Sequence, residues 1–145
     1  MIGLLQRVSN GSVKVEQEVI GEIGRGLLVL VGVQRDDNET KADRLLERLL
    51  GYRVFPDETG RMNLGLRDIG GGLLLVPQFT LAADTHKGKR AGFSTAAPPA
   101  MGEALFLYLL DRARETHGDV ANGRFGADMQ VALTNKGPVT FWLET

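Results

Sequence analysis

Two short runs of this chain combine residue types that could do chemistry. Gln78-Phe79-Thr80-Leu81 offers an amide, an aromatic ring and a hydroxyl, shortly after the apolar run Leu73-Leu74-Leu75-Val76. Asn135-Lys136-Gly137-Pro138-Val139-Thr140 is a polar turn between two alternating apolar stretches. Strand ends and tight turns are where a rigid scaffold presents backbone N–H and C=O groups to a ligand. Read as an esterase site, the first run would use the N–H groups of Phe79 and Thr80 as an oxyanion hole. Such donors matter because an ester carbonyl gathers negative charge in its tetrahedral transition state. Thr80 is also a candidate nucleophile, but a threonine hydroxyl needs an adjacent base and the sequence names none. A plainer reading of the same residues is a strand end with a satisfied threonine. On residue type alone the plainer reading is favoured.

Other chemistries fare worse. His86 and His117 are far apart, neither has a second histidine at ligand spacing, and there is no cysteine. Both histidines are expected to be solvated, with no metal and no other cofactor. No serine sits in a Gly-x-Ser-x-Gly elbow. Gly70-Gly71-Gly72 lacks the spacing and the lysine of a phosphate loop and reads as a flexible turn. Asp84 and Asp128 are isolated aspartates expected in solvent. The absence of cysteine excludes thiol catalysis and disulfides and fits a reducing compartment.

The elements that must hold these residues follow from periodicity. Ile2–Val8 reads as a first strand, and Ser12–Glu18 alternates with Val13 and Val15 on one side. Leu27-Leu28-Val29-Leu30-Val31 is apolar on both faces, as a central strand is. Asp36–Asn38 supplies capping chemistry before Ala42, Leu45, Leu46, Leu49 and Leu50, one face of an amphipathic helix. Tyr52–Phe55 and Met62–Leu64 flank a hairpin-like turn at Pro56–Gly60. Residues 82–98 form a loop, and Pro98-Pro99 opens a second helix with Met101, Leu105, Tyr108 and Leu109 for its buried face. The tail is expected to form two strands around Asn135–Pro138.

The pattern predicts one α/β domain over residues 1–145, which is the length of one ordinary domain. Hydrophobic residues make up 43% of it and charged residues 24%, enough for a single core. Net charge is −1, so a protein of this kind would not hold nucleic acid mainly along its phosphates. Any RNA contact is expected to be local and at one end. The start of the chain is too briefly apolar for a signal peptide, and nothing approaches the ~18 apolar residues of a membrane helix. No membrane association and a cytoplasmic location are the expectations.

Both runs, in this order and at this separation, resemble the signatures of D-aminoacyl-tRNA deacylases, of the bacterial D-tyrosyl-tRNA(Tyr) type. The resemblance extends from Met1-Ile2 through Gly26-Leu27-Leu28-Val29 to Phe141-Trp142-Leu143. It implies a barrel-like mixed sheet with two main helices, and hydrolysis of the ester between a D-amino acid, or glycine mischarged on tRNA(Ala), and the tRNA 3′ end. The vicinal hydroxyl of the terminal ribose would then assist attack or position water. The resemblance also implies catalytic roles for Gln78, Phe79 and Thr80. It makes Gly137-Pro138 a cis dipeptide that rejects L-amino acids, where residue type alone favours an ordinary trans bond. It further implies a homodimer in which each Gly137-Pro138 enters the partner's active site, with Arg7 and Asn135 supporting that motif.

The chain departs from the pattern in two places. The family's Ser-Gln-Phe-Thr is Pro77-Gln78-Phe79-Thr80 here, which removes a hydroxyl and an N–H but leaves the N–H groups of Phe79 and Thr80. Lys89-Arg90-Ala91-Gly92-Phe93-Ser94 matches the family's Arg-Pro-Ser-Phe region only at Arg90 and Phe93, so Phe93 alone is carried over, as a pocket wall. Two other functions fit the same residues: a module that binds aminoacylated tRNA 3′ ends without cutting them, and an esterase of small molecules.

Overall fold

A computed structural model describes residues Met1–Thr145. Strand β1 (Ile2–Val15) is its spine, and it turns at Glu16-Gln17 into β2 (Glu18–Ile23). Both turn residues have positive φ, 49° and 70°. Two left-handed residues in succession give the tight hairpin whose twist matches that of its strands. Neither is glycine or asparagine, so the sequence carries no signal for the turn. That is why the expected strand Ser12–Glu18 overruns the turn and β2 was not expected at all; β1 also continues unbroken through Ser9-Asn10-Gly11, where two strands were expected.

Strand β3 (Gly26–Gly32) is buried on both faces, as its composition predicts. Helix α1 (Glu39–Gly51) starts at Asn38, whose side chain accepts a 3.0 Å hydrogen bond from the Lys41 N–H, and it buries the five predicted apolar residues. Strands β4 (Phe55–Pro56) and β5 (Met62–Leu64) form the small hairpin, and a one-turn helix α2 (Leu66–Ile69) follows. Strand β6 (Gly72–Pro77) runs into a 3-10 helix at Phe79–Ala82.

Helix α3 (Pro99–Thr116) begins with proline at its first position, where the missing N–H costs nothing. It buries Leu105 and Leu109 as expected, together with Phe106, Leu110 and Ala113. Met101 and Tyr108 lie at the edge of that face and are only half-buried, the Tyr108 hydroxyl reaching out to Asp43 at 3.0 Å. A short β7 (Val120–Asn122) precedes β8 (Gln130–Glu144). The two expected tail strands are one strand with a bulge.

The sheet order is β2-β1-β3-β6-β7, with β8 on the other edge of β1. Antiparallel β1 pairs β3 over its first half and β2 over its second, so it bends across the sheet. Strands β3, β6 and β7 are parallel. A Cβ on Gly21 of β2 would stand 2.8 Å from the Asn122 carbonyl of β7. The two outer strands therefore nearly touch, and the mixed sheet is almost closed into a barrel.

Two main apolar layers result, with a small third cluster of Ile2, Ala82 and Ala96. The larger lies between the sheet and the helices, with Leu5, Val29, Leu75, Leu49 and Phe106 among its members. The smaller fills the barrel with Val8, Val13, Ile23, Leu28, Leu74 and Val76. Parallel strands buried on both sides read as unbroken apolar runs, which is what Leu27–Val31 and Leu73–Val76 are.

Candidate active site

The end of β6 is pinned to β3 by the Gln78 N–H, which donates to the Val31 carbonyl at 2.7 Å. The chain then coils, with the Leu81 N–H bonding to the Gln78 carbonyl at 3.2 Å. Phe79 and Thr80 are the first two residues of this 3-10 helix, so their N–H groups have no partner inside it. Both residues are exposed. A short rigid turn after a buried strand thus holds two neighbouring N–H groups at the surface, the chemistry that a developing oxyanion needs.

Thr80 has no base. Its hydroxyl oxygen lies 2.5 Å from Gln78 Nε2, an amide that donates to it and cannot take up its proton. The Phe79 and Phe93 rings, 57% and 46% exposed, pack against one another with centroids 5.2 Å apart. Phe93 comes from the 82–98 loop, which is tied back by the Asp84–Gly92 bridge and by the Thr95 hydroxyl donating to the Ala82 carbonyl at 2.5 Å.

Beside Phe79 opens an apolar cavity of about 220 Å³. Its walls include Val31, Pro77, Phe79, Phe106 and Phe125. Proline at 77 gives the cavity an apolar wall where the common pattern has a hydroxyl. Phe125 and Phe106 were not expected here. Phe106 sits within a helical repeat that reads simply as core, and Phe125 lies in an aperiodic stretch between β7 and β8 that gives no signal.

The second run is a wide bulge in β8. Asn135 is opposite Val8 and Thr140 opposite Gln6, so five steps along β8 face two along β1. The surplus pushes Lys136, Gly137 and Pro138 out of the sheet, and all three are exposed. The Gly137–Pro138 peptide bond is cis. Asn135 ties the base of the bulge, its Oδ1 accepting from the Val139 N–H at 2.7 Å and its Nδ2 donating to Thr140 Oγ1 at 2.9 Å. Arg7 holds the bulge from below, donating through Nε to the Lys136 carbonyl at 2.8 Å and through Nη1 to the Val54 carbonyl at 2.7 Å. Gly137 has φ of +144°, and a Cβ there would lie 2.8 Å from the Val139 side chain and 2.9 Å from Arg7 Nη2.

One chain does not bring the two runs together. Arg7 is paired with Leu27 and Gln78 is bonded to Val31, four residues further along β3. At strand rise that is about 13 Å. The bulge adjoins a different cleft, lined by Arg7, Arg25 and Lys136 among others.

The remaining candidates are dispersed. His86 is exposed with its Nδ1 2.7 Å from Asp84, and the His86 backbone and ring bonds hold the Asp84 carboxyl below the usual carboxylate range. His117 is not simply solvated. It is half-buried with Nε2 2.6 Å from the Gly71 carbonyl, which fastens the end of α3 to the start of β6. Asp128 is exposed.

The sequence matches the model of the D-Tyr-tRNA(Tyr) deacylase family over residues 4–144. It is 69% identical over 144 residues to a D-aminoacyl-tRNA deacylase of Alkalilimnicola ehrlichii, covering 99% of this chain and 96% of that one. It is 65% identical to a D-aminoacyl-tRNA deacylase of Pseudomonas fluorescens over the full length of both. Among solved structures it is similar to a c-Myc DNA Unwinding Element Binding Protein, with a TM-score of 0.95 and 36% identity over 100% of this chain and 99% of that one. A probable eukaryotic D-amino acid tRNA deacylase shares the fold at a TM-score of 0.84 and 19% identity, over 99% of this chain and 98% of that one.

Proposed function

The chain belongs to the D-Tyr-tRNA(Tyr) deacylase family and is a hydrolase of that kind; from this premise we propose how its site works and on what. The substrate is a D-aminoacyl-tRNA, and glycyl-tRNA(Ala) as well. The products are the free amino acid and tRNA. The single observation that carries the reading is the pair of helix-start N–H groups at Phe79 and Thr80, next to an open apolar cavity and a threonine without a base.

In this reading the ester carbonyl oxygen sits against those two N–H groups, and the terminal adenine lies in the cavity between Phe79 and Phe125. Water adds to the carbonyl carbon, positioned by the vicinal ribose hydroxyl of the substrate. The charge that develops on the carbonyl oxygen is met by donors already in place, so little reorganisation is needed at the moment of reaction. The tetrahedral intermediate collapses by breaking the bond to the ribose oxygen. That oxygen takes a proton and leaves as the tRNA hydroxyl.

Handedness comes from the partner. Gly137-Pro138 of a second chain enters this site, offers backbone carbonyls to the substrate ammonium and occupies the space an L side chain would need. Two features support an isologous homodimer. The two runs lie apart within one chain, and Trp142 of β8 is 51% exposed in register with half-buried Leu4, itself paired with Leu30. Large apolar side chains on one sheet face are what a permanent interface covers. A backbone site inspects handedness rather than side-chain identity, so many D-amino acids and achiral glycine pass. Such proofreading belongs in the cytoplasm, where tRNA is charged.

Purified protein assayed on D-tyrosyl-tRNA, L-tyrosyl-tRNA and the ethyl ester of D-tyrosine tests the reading. Rapid release of D-tyrosine from tRNA, with the L-isomer and the small ester left nearly intact, is expected. Equal rates on the two isomers would refute the handedness claim. Binding of D-tyrosyl-tRNA without release would leave a binding module, and preference for the small ester would leave a general esterase.

A further inference from the structure

We propose that Arg7, Arg25 and Lys136 form a seat for one phosphodiester of the RNA whose 3′ end is held in the partner's site; this rests on the deacylase reading above. The three cations come from separate elements: β1, the turn between β2 and β3, and the β8 bulge. They converge on a cleft of about 110 Å³, room for a small group and not for a base. Its other walls are Val8, Phe55 and Pro56, so no carboxylate lines it. None of the three cations has a carboxylate within 4.0 Å. Like charges held together without a counter-charge repel, and an anion seated among them relieves that.

The geometry is prepared for the anion. Arg7 spends two N–H bonds on the carbonyls of Lys136 and Val54, which fixes its guanidinium and leaves three of its five donors free. The Arg25 guanidinium carbon lies over the Phe55 ring, 5.4 Å from its centroid. A fixed guanidinium suits a phosphate because its donors form a planar fork that meets two oxygens at once. Position supplies the rest. Arg7 Nη2 lies against Gly137, so the cleft travels with the bulge into the neighbourhood of the partner's reacting ester. In a chain of net charge −1 this gives local contact at the end of the RNA, with no grip along a duplex.

The test uses Arg25→Gln and Lys136→Gln in the full chain, each checked for a wild-type thermal melt so that one can stand in for the other. The readouts are anisotropy of a 5′-labelled RNA minihelix ending in CCA, the KM for D-tyrosyl-tRNA, and competition by inorganic phosphate. Each variant should weaken minihelix binding and raise KM by about five- to tenfold, the loss of one charge-assisted contact. Each should also flatten the dependence of log K on log salt by about 0.7, and phosphate should compete less well than for wild type. Unchanged affinity and unchanged salt slope would overturn the proposal. So would variants that lose phosphate competition while binding RNA as before, which would mark a free-anion site. If wild-type protein leaves D-tyrosyl-tRNA intact, the deacylase reading fails, while the minihelix arm still decides the phosphate seat.

Discussion

At the scale of single residues, the proposed site relies on backbone groups more than on side chains. Thr80 carries a hydroxyl where a nucleophile is expected, yet its only neighbour within hydrogen-bond reach is the Gln78 amide. Without a base it does not become an alkoxide, so Thr80→Ala should retain activity within about tenfold of wild type. A folded Thr80→Ala protein with no activity, or an acyl-threonine trapped on the wild type, would make it the nucleophile. Gly137 is the opposite case, since it has no side chain to contribute and cannot accept one. Its backbone sits at φ of +144°, and a methyl group would press on Val139 and Arg7 at under 3 Å. Gly137→Ala should therefore lower kcat/KM on D-tyrosyl-tRNA more than about tenfold, through displacement of the bulge. Wild-type rates would contradict that role. The strand end at Gln78, Phe79 and Thr80 was legible from the apolar run before it, while their proposed roles rest on the resemblance to the family. Phe125 was not legible, because nothing periodic surrounds it.

At the scale of elements, long apolar runs read well and turns read according to their residue types. The face of α1 is the one its spacing predicts, because its five apolar residues recur at helical intervals. The β1–β2 hairpin was hidden because Glu16-Gln17 takes a left-handed turn without glycine. The β8 bulge was hidden because alternation continues on both sides of it, and only pairing with β1 shows the extra residues. The β4–β5 hairpin was legible, and Asp57 explains its order. The Thr59 hydroxyl and the Asn63 amide bond its carboxylate, as do the N–H groups of Thr59 and Arg61. These donors favour the charged form, the Thr59 hydroxyl first, and lower its pKa from 3.8 to about 2. A depressed folded pKa means a contribution that is complete above the unfolded value and lost as pH falls through the folded one. The Thr59 and Arg61 amide resonances should thus hold steady down to about pH 4 and shift near pH 2 in a pH titration followed by NMR. Titration at the ordinary value, with both amides indifferent, would show that the hairpin does not depend on this carboxylate.

For the whole molecule, the governing observation is that the strand positions holding the two runs lie about 13 Å apart along β3 within one chain. If the proposed site needs both runs, a two-fold dimer would let each chain complete the other. Light scattering at assay concentration should give twice the 15.7 kDa chain mass; a fully active monomer would end the shared-site model. Mixed dimers test the claim most directly. Phe79→Pro removes one N–H donor, together with the ring that walls the cavity, at a first helical position where proline is accepted. Gly137→Ala spoils the bulge. A heterodimer of the two variants, isolated with one tag on each chain, has one site with both defects and one with neither. Each variant should be nearly inactive as its own dimer, and this heterodimer should recover about half the wild-type rate on D-tyrosyl-tRNA. A heterodimer no more active than its two parents would contradict the account, because each site would then be built from a single chain.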